Sequence, residues 1–264
     1  VFLSARPHAY KDSQEEHVFT PMISLLQSKQ LHSFPVLLPG RLQSSLPAGI
    51  LQYWQGSRAW RQVGIDKYET FKQYKELYGE YDFVFCGDDG QGDLLAGQMM
   101  LTDAEAQLKD GPKVLAVLIH KVLPEREQPA QVLPEEADEE QDENWALTWQ
   151  QRGLILHETY IGAAVSLCQY APDLIPPSAV EDIAFQACEE FDDLRMSNSS
   201  WRREQWQPAS ESIRRDLARA NELLKKAGRK EVDLPRTHSD LMGAIPTYSD
   251  SSEDEELESD DELL

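Results

Sequence analysis

Three aspartates crowd into a glycine-rich stretch near the middle of the chain. The apolar residues 83–86 run directly into the sequence GDDGQGD, which contains Asp88, Asp89 and Asp93. Carboxylates held this close repel one another, and a hard divalent cation would neutralise them. Mg²⁺ takes oxygen ligands from one or two carboxylates and keeps water for the rest. The stretch therefore predicts a magnesium site, and the alternative is a solvated acidic turn, since Asp and Gly are common in turns.

A calcium loop of the EF-hand kind does not fit the same residues. Counted from Asp88, the third and fifth positions are Gly90 and Gly92, which offer no side-chain oxygen. The twelfth position is Met99, where a bidentate glutamate is required. A magnesium site is therefore favoured over a calcium loop.

The elements around these acids follow an α/β pattern. Residues 83–86 do not alternate apolar and polar side chains, so we predict a strand buried on both faces of a parallel sheet. Residues 64–78 carry apolar side chains at helical spacing, with Lys67 in the first turn of the predicted helix. A cation there opposes the helix dipole. Lys67 is therefore either a solvated surface lysine or a functional one.

The predicted topology brings three separate segments to one edge of the sheet. Ligands bind at the carboxyl ends of the strands in open α/β sheets. A crossover helix runs antiparallel to the strands that it connects, so its amino end lies beside that same edge. Residues 1–3 form a further apolar strand that ends at Ser4. We therefore expect Ser4, Lys67 and Asp88 to converge.

The chain divides into four predicted regions. Residues 1–123 form the α/β domain, and residues 124–144, rich in proline and acids, form a disordered loop. Residues 145–230 form a helical extension, and residues 231–264 form a disordered acidic tail. Further strands are predicted at 34–38 and 114–122, and helices at 12–30, 94–108, 145–169, 179–194 and 210–227.

The composition indicates which partners and which cellular compartment are expected. The net charge is −22, so the chain has no basic excess with which to bind nucleic acid. The three cysteines, Cys86, Cys168 and Cys188, stand in apolar contexts far apart, which is typical of buried free thiols in a reducing compartment. No apolar run reaches bilayer length. We therefore predict a cytoplasmic protein, with a peripheral membrane association left open.

A basic helix face is unusual in so acidic a chain. Residues 213–226 contain Arg214, Arg215, Arg219, Lys225 and Lys226 on the face opposite the apolar stripe. These cations either pair with the protein's own acids or contact an anionic membrane surface, worth about 1 kcal/mol per cation.

Residues 67–93 resemble a known family. A lysine-led helix followed by FVFCGDDGQGD is similar to the catalytic domain of App1-type phosphatidate phosphatases, which has a strand of the form FVLVGDSGQxD. These enzymes belong to the haloacid dehalogenase-like phosphohydrolases, whose core is a Rossmann-like parallel sheet. Five residues match at their positions: Gly87, Asp88, Gly90, Gln91 and Asp93. The resemblance covers residues 1–122.

The resemblance implies a reaction and a role for each site residue. Asp88 and Asp93 would hold Mg²⁺, Lys67 would stabilise charge on the transferring phosphoryl group, and Ser4 would hydrogen-bond a phosphoryl oxygen. The implied reaction converts phosphatidate to diacylglycerol and phosphate through an aspartyl-phosphate. Ser4, Lys67 and Asp88 are thus the expected catalytic residues.

The nucleophile of that family is missing from these residues. It is an aspartate in a DxDxT motif on the first, central strand, and no such motif occurs here. We therefore expect the sequence to be truncated upstream of its second strand, and we expect no turnover from residues 1–264 alone. Asp89 also stands where the family has serine. Two other functions stay open: a catalytically inactive relative that acts as an interaction module, and a phosphatase for a soluble phosphomonoester.

Overall fold

The computed structural model describes residues 2–3, 23–24, 37–38, 57–90, 92–103, 113–122, 145–197 and 203–233. Ser4, the loop predicted at 124–144 and the tail from residue 234 lie outside these ranges, and so does nearly all of the helix predicted at 12–30. The strands are β1 Phe2–Leu3, β2 Leu37–Leu38, β3 Phe83–Asp88, β4 Val114–His120 and β5 Leu154–His157. The helices are α1 Ser57–Leu77, α2 Asp93–Thr102, α3 Trp145–Gln151, α4 Tyr160–Tyr170, α5 Pro177–Ser197 and α6 Arg203–Lys226.

The strands form two parallel sheets. β1 pairs with β2, and a separate three-stranded sheet has the order β3-β4-β5. Helices connect these strands and pack on them, which confirms the predicted α/β class. All three strands of the larger sheet end at one carboxyl edge, with Asp88, His120 and His157 in register there.

One face of this sheet is covered by the helices that precede and follow β3. We call it the back face. Phe83 of β3 meets Phe71 of α1 edge to face, with ring centroids 5.4 Å apart. Met100 of α2 and Trp149 of α3 are also buried in this cluster. Apolar burial of side chains of this size contributes about 1.5–3 kcal/mol each, so this cluster fixes α1 and α2 against the strand that ends at Asp88.

The opposite face, which we call the front face, is only partly covered. It carries Cys86 and Leu118, which are register partners. Leu167 of α4 packs on Ile155 of β5, whereas Val84 of β3 is 41% exposed and Cys86 is exposed. The prediction that β3 is buried on both faces is therefore wrong for the described residues, because α4 covers β5 and leaves β3 open. The same opening exposes Cys86, which was expected to be buried.

The prediction of a single helix at 145–169 is also wrong. It is divided into α3, β5 and α4. Gly153 takes a φ of 100°, a left-handed conformation that ends α3 and suits glycine. Thr159 then caps α4, because its side-chain oxygen accepts a hydrogen bond from the N–H of Gly162. The region predicted as a helical extension thus contributes a strand to the sheet.

The three last helices share a second apolar core. Ile161 and Val165 of α4, Val180 of α5 and Leu217 and Leu224 of α6 are all buried in it. α4 and α6 approach closely at Gly162, where a Cβ would overlap the carboxylate of Asp216. Glycine at this position therefore permits the close packing of the two helices. All the described strands and helices belong to one compact unit, Val1–Val232.

Among the described helices, none combines the length and the hydropathy that crossing a bilayer requires.

Candidate functional site at the carboxyl edge of the sheet

Two of the predicted site residues meet directly. Nζ of Lys67, in α1, lies 2.5 Å from Oδ1 of Asp93, the first residue of α2. The side chains are 7% and 13% exposed, so the ion pair is nearly closed to solvent. Lys67 is therefore not the solvated surface lysine that the sequence left open. It joins the two helices beside the end of β3. The prediction that Lys67 lies in the first helical turn and opposes the helix dipole is wrong, because α1 already begins at Ser57 and Lys67 lies in its interior.

Glycines make this approach sterically feasible. A Cβ on Gly64 of α1 would lie 2.7 Å from the carbonyl oxygen of Gly92, just before α2. A Cβ on Gly87 of β3 would lie 2.5 Å from Cβ of Asp93. Gly92 itself has a φ of 80°, which favours glycine. The spacing of glycines around the acids therefore lets α1, α2 and β3 converge on one point.

The two candidate metal ligands, Asp88 and Asp93, lie at the end of β3 and at the start of α2. Asp88 ends β3, and its Oδ1 accepts a hydrogen bond of 2.8 Å from the N–H of Gly90. Its own N–H donates to Oδ2 of Asp93, at 3.5 Å. Burial raises the pKa of Asp93, although the nearby Lys67 ammonium lowers it, and the Asp88 carboxylate raises it further. The site therefore holds a carboxylate that gains from any additional positive charge.

Asp89, which differs from the resembling family, has a structural role. It is 4% exposed. Its N–H donates to the carbonyl of His120 at 3.1 Å, and its Oδ1 accepts from the N–H of Val122 at 2.8 Å. Asp89 thus fastens the glycine-rich loop to the end of β4.

The donor set suits a magnesium ion in part. Within the described ranges there is no cluster of three or more His, Cys, Asp and Glu side chains that could hold a metal. Mg²⁺ needs only one or two carboxylates, with waters and substrate oxygens completing its octahedron. Asp88 and Asp93 are the two carboxylates that this edge offers to such an ion, and the N–H of Asp88 donates to the Asp93 carboxylate. Ser4 lies outside the described residues.

Sequence reasoning missed a second group of side chains at this edge. His120, which ends β4, is the register partner of Asp88 on one side and of His157 on the other. The two imidazoles are stacked, with centroids 5.3 Å apart and planes 9° from parallel. Tyr160, the first residue of α4, lies 6.3 Å from each imidazole centroid and is 71% exposed. We call His120, His157 and Tyr160 the ring cluster.

Hydrogen bonds and burial fix the ring cluster. Nε2 of His120 lies 3.1 Å from the carbonyl oxygen of Glu158, and because a carbonyl only accepts, this nitrogen carries the proton. His157 is 8% exposed, and its Nδ1 is buried without a hydrogen bond of normal geometry. Burial, aided by His120, lowers the pKa of His157 to about 4. His157 is therefore neutral near pH 7.

A network of charges holds the backbone between β5 and α4. Thr159 donates its hydroxyl to Asp216 of α6 at 2.8 Å, and Arg219 pairs with the same carboxylate at 3.1 Å. Glu158 accepts from Ser212 at 2.7 Å and from Arg215 at 2.9 Å. We call these residues the α6 latch. One sequence signal could have revealed both the ring cluster and the α6 latch. It is the apolar run of residues 154–156, which is followed by His157 and could have been predicted as a strand.

Comparison of this chain with known proteins identified no relative. No family model, curated protein or solved structure matches this chain. The likeness to App1-type phosphatases therefore rests on the quoted motif alone.

The basic face of α6 is partly engaged inside the molecule. Arg215 and Arg219 pair with Glu158 and Asp216, and Arg229, just after α6, lies 2.5 Å from Glu181 of α5. Arg214, Lys225 and Lys226 are exposed. Two of the five cations on this face, Arg215 and Arg219, therefore pair with the protein's own acids, as one of the two sequence-based interpretations predicted.

Proposed function

We propose that this protein is a magnesium-dependent phosphomonoester hydrolase of the haloacid dehalogenase-like kind. The observation that carries the proposal is the buried ion pair of Lys67 and Asp93 at the tip of β3, with Asp88 beside it. A phosphoryl group that gains negative charge in the transition state needs positive charge held in place without rearrangement. An ammonium fixed by two helices and a carboxylate pair suited to Mg²⁺ meet that need.

Each residue has a distinct part in the proposed reaction. Lys67, which Asp93 holds in place, would stabilise the phosphoryl oxygens as they gain charge. Asp88 and Asp93 would hold Mg²⁺, which when bound polarises the phosphoryl group. The N–H groups of Asp88 and Gly90 orient the two carboxylates.

The proposed nucleophile is an aspartate from outside residues 1–264, as the resemblance implies. Its carboxylate oxygen forms a bond to phosphorus while the bond from phosphorus to the alcohol oxygen breaks, and the departing alcohol takes up a proton. Water then cleaves the aspartyl-phosphate to release phosphate and restore the carboxylate.

The resemblance favours phosphatidate as the substrate. A contact between α6 and an anionic membrane belongs to that version of the proposal, and Arg214, Lys225 and Lys226 are the exposed cations that would make it. Vesicles with anionic lipid should then bind the protein more weakly after all three are replaced by Gln. Equal binding would remove the membrane contact from the proposal.

Phosphate release tests the function. The full-length protein should release phosphate from phosphatidate or from a soluble phosphomonoester, and Asp88→Asn should abolish the release. Glu76→Gln, an exposed acid on α1, serves as the matched control and should retain full activity. Activity that survives Asp88→Asn would refute the assigned site, and a full-length protein with no activity would favour the inactive relative.

A further inference from the structure

The ring cluster lies directly beside the proposed phosphoryl site. Asp88 and His120 are register partners on neighbouring strands, so their side chains share the front face of the sheet. Neighbouring strands lie about 4.8 Å apart. His120 is thus one strand spacing from Asp88. The ring of Tyr160 lies beyond it, with its centroid 6.3 Å from the centroid of the His120 ring.

The cluster is ordered before any ligand arrives. His157 stacks under His120 and, with its pKa lowered to about 4, brings no positive charge to repel its neighbour. The bond between Nε2 of His120 and the Glu158 carbonyl sets the plane of the ring. Thr159 caps α4 and is held by Asp216, which fixes the backbone from which Tyr160 projects.

Exposure sets Tyr160 apart from the two rings beneath it. A tyrosine supported on one side by two ordered imidazoles and 71% exposed presents a flat apolar surface to solvent. Planar heterocycles bind to such surfaces by stacking, which is worth about 1–3 kcal/mol per base.

We propose that the alcohol part of the substrate carries a planar heteroaromatic ring that stacks on Tyr160 while the phosphate lies at Asp88. The substrate class is then that of the nucleoside monophosphates and not diacylglycerol phosphates. The inference rests on the proposed function, because that function places the phosphate. It concerns binding, so its test does not require turnover.

Two probes isolate the contribution of the ring. Adenosine 5′-monophosphate and ribose 5-phosphate share the phosphate and the sugar and differ in the base. Titration of each into the full-length protein, followed by nuclear magnetic resonance of the His120 and His157 ring protons, should show tighter binding of adenosine 5′-monophosphate by about tenfold. Base-dependent ring-current shifts should accompany it. Equal affinities for the two probes would overturn the inference.

Substitutions at Tyr160 separate stacking from structural support. Tyr160→Ala should remove the tenfold preference and leave the affinity for ribose 5-phosphate within twofold. Tyr160→Phe keeps the ring and should keep the preference, as should Phe185→Ala, an exposed aromatic on α5. If Tyr160→Ala weakens both probes equally, Tyr160 has only a structural role, and the inference fails.

Hydrolysis supplies an independent outcome. If the wild-type protein turns over phosphatidate faster than adenosine 5′-monophosphate, and Tyr160→Ala leaves that rate unchanged, the inference is wrong while the proposed function stands. If no phosphomonoester is hydrolysed and the base-dependent binding persists, the proposed function fails and the ring-binding site stands.

Discussion

The ends of β3 and β5 hold charged groups at the same edge of the sheet and secure them differently. At the end of β3, Lys67 and Asp93 form one ion pair, and both side chains are almost closed to solvent. At the end of β5, Glu158 and Asp216 share the cations of α6, and Arg215 is 56% exposed. Asp93 pairs with one cation, whereas Asp216, which is 3% exposed, pairs with both Arg215 and Arg219. Loss of one cation therefore leaves Asp93 without an ionic partner and leaves Asp216 with another.

This difference separates a pair that holds one ammonium in place from a network that holds a stretch of backbone. An isolated buried pair is a poor source of stability, because desolvation offsets much of its attraction. Its value lies in holding an ammonium at a defined position. The α6 latch instead distributes its bonds over Thr159, Ser212 and two arginines, which fixes the start of α4 without relying on any one of them.

The largest expected effect comes from breaking the buried pair. Lys67→Ala should lower the free energy of unfolding by about 3–5 kcal/mol, because it leaves the Asp93 carboxylate buried and unpaired. Urea unfolding measures the change. Lys113→Met, which removes an exposed lysine, should be near neutral.

A double replacement sharpens the same prediction. Lys67→Met combined with Asp93→Leu removes both charges and should recover much of the lost stability. If the double variant is no more stable than Lys67→Ala, packing and not charge accounts for the loss.

The protonation of His157 should produce the next largest effect. Its pKa is lowered to about 4 in the folded protein, whereas an unfolded histidine titrates near 6.5. Between these values the unfolded chain binds the proton and the folded chain does not, so stability falls as the pH drops from about 6.5 to 4. The loss should be about 2 kcal/mol, after a discount for solvent screening.

Unfolding of wild type and His157→Gln at pH 4 and pH 7 measures this contribution. The wild type should lose more stability between the two values than the variant does. Identical pH dependence in the two proteins would show that His157 is not held in its neutral form.

The close contact between α4 and α6 gives a steric prediction of comparable or smaller size. Gly162→Ala places a Cβ against the Asp216 carboxylate, closer than van der Waals contact allows, and should cost about 1–3 kcal/mol, because α6 must move or the latch must open. Gly79→Ala is the control, since a Cβ there meets nothing within 4 Å. A thermal unfolding series should rank the two in that order, and equal midpoints would contradict the tight approach.

The smallest effect is expected at the exposed part of the latch. Arg215→Ala should cost less than about 1 kcal/mol, because Glu158 keeps Ser212, and the ion pair is open to solvent. Chemical denaturation should place it far below Lys67→Ala. A loss as large as that of Lys67→Ala would remove the distinction between the two ends of the sheet.

The sequence predicted one end of the sheet well and missed the other. The strand before Asp88 and the presence of a helix around Lys67 are confirmed, since a continuous apolar run and a 3.6-residue stripe are strong local signals. The start of that helix was predicted wrongly, because residues 57–63 include no acidic residue that would mark a helix start. β5 has only four residues, and its run also fits a buried helix turn, so periodicity could not separate the two. The ring cluster depended on recognising β5.

Contacts between side chains that are distant in the sequence could not be predicted, for a different reason. Lys67 and Asp93 are 26 residues apart, and their contact was foreseeable only as the meeting of two elements at one edge. Asp216 lies 57 residues from Thr159, and no local pattern links them. Such pairings arise from how the helices pack. The exposure of Cys86 follows likewise from α4 covering β5 and not β3.

Calorimetric titration with Mg²⁺ tests the central claim most directly, because it needs neither a nucleophile nor a substrate. The wild-type protein should bind Mg²⁺ saturably, Asp88→Asn should abolish that binding, and Glu76→Gln should preserve it. Saturable binding that is the same in wild type and Asp88→Asn, or none in the wild type, would contradict a cation site at the tip of β3.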